Sequence, residues 1–118
     1  MEFLQLPNGT WDEFFERMTD VMRGKLVEVE VAGLDVGDQI EAEWLPLNGI
    51  VYEAKADTLY VYTEPAQGGV DHAIAHPREV FVELGDSGLN QVVVIDAEGR
   101  KQFVHLRAPL ELPATSGP

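Results

Sequence analysis

The sequence predicts an α+β fold, an N-terminal helix packed on a mainly antiparallel β-sheet or small β-barrel. Three observations carry that prediction. An apolar stripe of helical period runs from Trp11 to Met22, the period switches to two from Lys25 onward, and several connections are too short for parallel crossovers.

The helix is read from both of its ends. Asn8-Gly9-Thr10 leads into Trp11-Asp12-Glu13, so Thr10 can cap, Glu13 completes a capping box, and both acids suit the positive helix end. Trp11, Phe14, Phe15, Met18, Val21 and Met22 then form the stripe, with Glu16, Arg17, Asp20 and Arg23 outside it and Gly24 as the stop. Because the stripe has no other apolar partner, Trp11, Phe14 and Met18 are expected to bury against the sheet.

Strands are predicted near Leu26 to Val31, Gln39 to Leu45, Ile50 to Ala54, Thr58 to Thr63, Val70 to His76, Glu79 to Leu84, Gln91 to Asp96 and Arg100 to Leu106. Pro46-Leu47-Asn48-Gly49, Lys55-Ala56-Asp57 and Ala97-Glu98-Gly99 are short enough to close antiparallel hairpins, while Gly68-Gly69 and Gly85 to Gly88 mark looser loops. Residues 1–108 are read as a single domain. Residues 109–118 gather Pro, Ser and Gly and are read as a flexible tail.

Composition excludes several classes. The 118 residues are 45% hydrophobic and carry 21 Asp and Glu against 8 Lys and Arg, a net charge of -13, which allows one core and argues against wholesale disorder. Such a charge repels phosphate backbones and anionic headgroups, and no basic patch offsets it, so neither nucleic acid nor membrane is an expected partner. Zero cysteines exclude a disulfide framework, a Cys-ligated metal and a thiol nucleophile. Met1 to Pro7 has no basic n-region, and no run approaches the roughly 20 apolar residues of a membrane span, so a soluble, cytoplasmic protein is expected. No glycine pattern cradles phosphate, Ser87 sits in no nucleophile elbow, and Asp35-Val36-Gly37-Asp38 reads as a turn rather than a calcium loop. No cofactor is expected.

A set of segments in fixed order adds a resemblance: Gly37-Asp38-Gln39 with Glu41 to Leu47, Gly49-Ile50 running to Tyr52, Asp71-His72 with His76-Pro77-Arg78-Glu79, and Leu110 with Leu112-Pro113. In these the chain resembles the bacterial domain-of-unknown-function 5335 family, small single-domain proteins of about this length. The resemblance covers Trp11 to Pro113 and implies no activity, substrate or catalytic residue. The chain departs from the family's usual Tyr-Asp-Pro-Lys-Asp-Asp with Tyr52-Glu53-Ala54-Lys55-Ala56-Asp57.

Three groups of residues could carry function. Asp71, His72 and His76 are the metal or acid/base candidates: positions 72 and 76 share a strand face, and histidine with carboxylate suits zinc or iron(II). The plainer reading has the histidines, His105 being the third and last, structural or on the surface and hydrogen-bonding backbone or carboxylates. Between Leu26 and Ala54 the chain has seven carboxylates and no Lys or Arg. There the i,i+2 pairs Glu28 with Glu30 and Glu41 with Glu43 form either a solvated sheet face or a docking plate for a basic partner or divalent cation. Tyr60 and Tyr62 share the face opposite Leu59 and Val61, either under a second layer or exposed as a recognition patch. The reading that follows is a noncatalytic binding or self-association domain with a protein partner or further copies of itself. The alternative is a small metal-binding protein or enzyme using the Asp71, His72 and His76 segment.

Overall fold

The computed structural model describes residues 2–34, 37–64, 71–85 and 88–108. Among them the chain runs β1 (Glu2–Leu6), α1 (Trp11–Met22), β2 (Leu26–Gly33), β3 (Gly37–Glu53), β4 (Thr58–Thr63), β5 (His72–Ala75), β6 (Pro77–Gly85), β7 (Gly88–Asp96) and β8 (Lys101–Arg107). The strands form one antiparallel sheet in the order β1-β6-β7-β8-β2-β3-β4-β5, and the helix lies on it. The fold is α+β as expected, with an open sheet rather than a closed barrel. No helix among the described residues is long and apolar enough to cross a membrane. The 109–118 tail, the Pro65 to Gly69 loop and the Asp86-Ser87 turn lie outside the described residues.

Helix α1 forms where its pattern places it, but its start is built differently. Thr10 makes no side-chain cap; its hydroxyl donates to the Pro7 carbonyl at 2.6 Å, while the Asp12 carboxylate accepts the Glu13 N–H at 2.8 Å. Glu13 instead pairs with Arg17 at 3.0 Å on the exposed face. The buried residues are Trp11, Phe15 and Met22, whereas Phe14 and Met18 pack half-buried at the flank. Positions 11, 15 and 22 follow the i, i+4, i+11 line of one helix face, and Phe14 lies beside it, edge-on to Phe15 at 5.2 Å. After Met22 the helix gives way to Gly24 in the left-handed region, φ +90°, which no Cβ-bearing residue adopts cheaply. The Gly24 N–H then donates to the Leu47 carbonyl and Leu47 N–H to the Lys25 carbonyl, stitching the helix exit to the middle of β3.

Strand alternation does the rest. In β2, Val27, Val29 and Val31 are buried while Glu28 and Glu30 face outward, and in β8 Gln102, Val104 and Leu106 point in. The core is one cluster joining Val27, Val29 and Val104 to Leu59, Val61, Ile74, Val80, Val82, Val92 and Val94 and to Trp11, Phe15 and Met22 of the helix. Two readings need correction. Pro46 to Gly49 does not reverse the chain: β3 is continuous, pairing with β2 through Gly37 to Pro46 and with β4 through Leu47 to Glu53. The turn-forming residues are spent on a bend, which Trp44 absorbs at φ 50° and the Pro46 carbonyl secures by accepting the Glu64 N–H. The unanticipated strand is β1, whose Leu6 to Glu2 pair with Val80 to Leu84 at the sheet's edge.

The same device recurs between β5 and β6, which are one strand bent at His76. On one side of it, Ala75 to His72 pair with β4; on the other, Pro77 onward pairs with β7. The His76 N–H donates to the Asp57 carbonyl at 2.8 Å, and its own carbonyl accepts the Ala97 N–H at 2.9 Å. One residue therefore ties the β3–β4 hairpin to the β7–β8 hairpin.

Phe15 is fully buried and Phe14 is not. Phe15→Ala should cost about 3–5 kcal/mol in urea melts and Phe14→Ala clearly less; equal losses would mean that the helix does not seat on the sheet through the Trp11, Phe15 and Met22 line.

Candidate functional site

The bend at His76 opens onto a surface cleft of about 640 Å³, with Trp11, Tyr52, Asp57, His76, Pro77 and Arg78 among its lining. That volume is within the roughly 300–1,000 Å³ usual for ligand pockets. Tyr52, near the end of β3, stands edge-on to Trp11 at 5.2 Å, and the Trp11 indole N–H donates to the Leu6 carbonyl at 3.1 Å, which fixes the aromatic wall. Asp57 ends the short β3–β4 turn at φ 48°, and His76 sits at φ 53°. Two non-glycine residues in the left-handed region, each costing about 1–3 kcal/mol, line one cleft, and such strain concentrates where side chains are held for a purpose.

What they hold is a polar chain. The Tyr52 hydroxyl donates to Asp57 Oδ1 at 2.7 Å, and His76 Nδ1 lies 3.1 Å from Asp57 Oδ2. The hydrogen bonds from Tyr52 and then His76 hold the Asp57 carboxyl below the usual carboxylate range. Burial, followed by the hydrogen bond to Asp57, pushes the Tyr52 phenol up to about 12, so it is a donor throughout the physiological range. An ionised carboxylate only accepts, so Nδ1 carries a proton; Nε2, unbonded among the described residues, is an acceptor whenever the ring is neutral. Arg78, exposed on the rim, lowers the Asp57 carboxyl by its charge alone; among the described residues its guanidinium forms neither an ion pair nor a hydrogen bond.

The three residues taken together from sequence separate in space. His76 enters the cleft. His72 points inward beside Ile74, and its Nε2–H donates to Gln102 Oε1 at 2.7 Å; the Gln102 amide donates in turn to Asp96 Oδ2 at 3.0 Å. Asp96 and Gln102 are buried, and Asp96 Oδ1 accepts the Glu98 and Arg100 N–H groups, so this network crosses the interior to the β7–β8 turn. Asp71 is exposed, and its charge helps raise the Tyr62 phenol after burial, so it sides with the tyrosines. Four residues of strand at about 3.3 Å each separate His72 from His76 by about 13 Å along the chain.

Glu28, Glu30, Tyr60 and Tyr62 lie on the outer face. Tyr60 and Tyr62 are half-buried and stack on each other at 5.7 Å. Glu28 and Glu30 face outward; Glu41 is exposed in a bulge between the Val29–Ala42 and Glu30–Ile40 pairs, and the Glu43 side chain lies outside the described residues. The carboxyl that meets Glu30 is that of Asp38, and this contact raises Glu30 above the usual range ahead of the burial effect, with His105 opposing. His105 Nε2 lies 3.4 Å from Glu30 Oε1. Among the described residues Glu28, Glu30 and His105 are the set of three possible metal donors, all within 4.8 Å of one another. Nothing local in the sequence links His105 to Glu30, 75 residues away; the β2–β8 ladder joins them. Tyr52, Asp57 and Arg78 were likewise missed at the cleft. The one local signal was Asp57 at the end of a tight turn, since Asp tolerates left-handed backbone.

Two measurements test the cleft's construction. A lowered carboxyl contributes stability that is complete above its unfolded value and is lost as pH falls through the folded one. Wild type should therefore outlast Asp57→Asn in urea at pH 7, with the gap closing below about pH 4; a gap independent of pH would remove the charge argument. At position 76 glycine relieves the left-handed strain, so His76→Gly should be more stable than His76→Ala by about 1 kcal/mol.

Comparison with known proteins adds a family. The chain matches the Family of unknown function (DUF5335) over residues 3–115. It is 30% identical over 108 residues to an "Uncharacterized protein" of Aquifex aeolicus (strain VF5), which covers 92% of this chain and 95% of that one. No solved structure matches it. A match across nearly the whole chain, with a relative of the same extent, makes this protein a member of the DUF5335 family.

Proposed function

We propose that the protein works by noncatalytic binding, and that its ligand presents an anionic group to the corner cleft. The observation that supports this is how the cleft's charges are already used. Both oxygens of Asp57 are taken up by Tyr52 and His76, which leaves Arg78 as the charged group on the rim with no protein partner among the described residues. A guanidinium so placed suits a carboxylate or phosphate, while Trp11 and Tyr52 supply an apolar wall for the remainder of the ligand. The chain's net charge of -13 does not prevent this, because at physiological salt charges beyond about 8 Å are screened and a contact is not.

A second reading, chemistry at His76, draws on one feature: the Asp57 contact orients the imidazole with Nε2 as the acceptor, as a general base requires. The described lining holds no serine, threonine or cysteine, so the base would act on water or on the ligand itself. Binding needs less and is the reading adopted.

Titration of the labelled protein with benzoate, phenyl phosphate and benzamide, followed by amide chemical shifts, separates these outcomes. The two anions should shift residues around Trp11, Asp57 and Arg78, benzamide should bind at least tenfold more weakly, and Arg78→Ala should abolish the difference. Equal binding of all three, or shifts elsewhere on the chain, would sink the proposal.

A further inference from the structure

Away from the cleft, the outer face of β2 and β8 assembles a different chemistry. Glu28 stands directly opposite His105 in the ladder and Glu30 opposite Phe103, so alternate residues of both strands point the same way into one patch. The His105 ring stacks on Phe103 at 5.9 Å and 6° between planes, which fixes the direction of its nitrogens. All three donors are half-buried, a setting in which a bound ion would be partly shielded from water.

The distances fit an ion pair and also suit a ligand set. The 3.4 Å from His105 Nε2 to Glu30 Oε1 is long for a hydrogen bond, whose usual N–H···O distance is about 2.9–3.0 Å. It matches the ~3.4 Å separating two ligands that each lie about 2.1 Å from one tetrahedral ion. The third donor, on Glu28, lies within 4.8 Å of both and closes in by rotation about its own side-chain bonds. Lys101, opposite Ala32, lies further along the same face.

We infer that Glu28, Glu30 and His105 form a binding site for one divalent ion of the borderline class, zinc(II) foremost, with the fourth position left to water. Two carboxylates and one imidazole favour zinc, cobalt or iron(II) over calcium or magnesium, which take all-oxygen shells. The site sits on a face separate from the corner cleft, so neither proposal depends on the other.

Zinc chloride titrated by calorimetry into the chelator-treated full chain should give one ion per chain. His105→Ala and Glu30→Gln should each weaken it at least tenfold, and Glu28→Gln should also weaken it. His72→Ala and His76→Ala should leave it unchanged. Cobalt(II) should give visible bands of low-coordinate geometry that His105→Ala abolishes, a readout that a merely structural histidine would not move. Circular dichroism and urea midpoints confirm that each variant is folded, as substitutions on a half-exposed face allow. The inference is overturned if zinc does not bind, if His105→Ala binds it as wild type does, or if calcium binds equally well, which would reduce the patch to a diffuse acidic surface.

Discussion

The sheet depends on two bends, and one of them rests on a single residue, His76. An eight-stranded antiparallel sheet with a single apolar face must curl to bury it, and here β3 and the β5–β6 strand both turn from one half of the sheet into the other. At His76 the turn requires left-handed backbone, which costs about 1–3 kcal/mol in a non-glycine residue. The two backbone hydrogen bonds of His76 hold that conformation in place, one to each of two hairpins that β2 separates in the sheet order. The Asp57 and Ala97 turns are thereby drawn to one corner. The cleft is the space left between them and the start of the helix.

The interior side of that corner is polar as well. His72, Gln102 and Asp96 form a hydrogen-bonded chain from β5 across to the β7–β8 turn. Buried polar groups are tolerated only when satisfied, and this chain satisfies buried Gln102 and Asp96 while fixing how the two halves of the sheet meet. It follows that the two histidines of one short strand have opposite roles. His72 stabilises the interior and His76 faces the cleft.

Outside, alternation has an electrostatic result. Because every second residue of β2 must be apolar, its glutamates are driven onto the solvent face, where the ladder sets them beside His105 and, from β3, Asp38. The charge of this patch follows from the pattern. Its donor geometry follows from strand register, which a shift of one residue would reverse.

The sequence by itself determined the helix, the period-two strands, the Lys55 to Asp57 and Ala97 to Gly99 hairpins and therefore the α+β class, because each of these is decided by residues close together in the chain. It marked His76-Pro77 and the glutamates of β2 as unusual. It could not distinguish a bend from a reversal at Pro46 to Gly49, since the same Pro and Asn-Gly residues serve either, and whether the strand returns on itself is settled by what lies beside it. It could not anticipate β1, whose five residues become a strand only by pairing with β6, some eighty positions away. Nor could it bring Asp57 to His76 or Glu30 to His105. Those neighbours are set by ladder register and by the curl of the sheet, which tertiary structure alone decides, because burying one apolar face is a property of all the strands together.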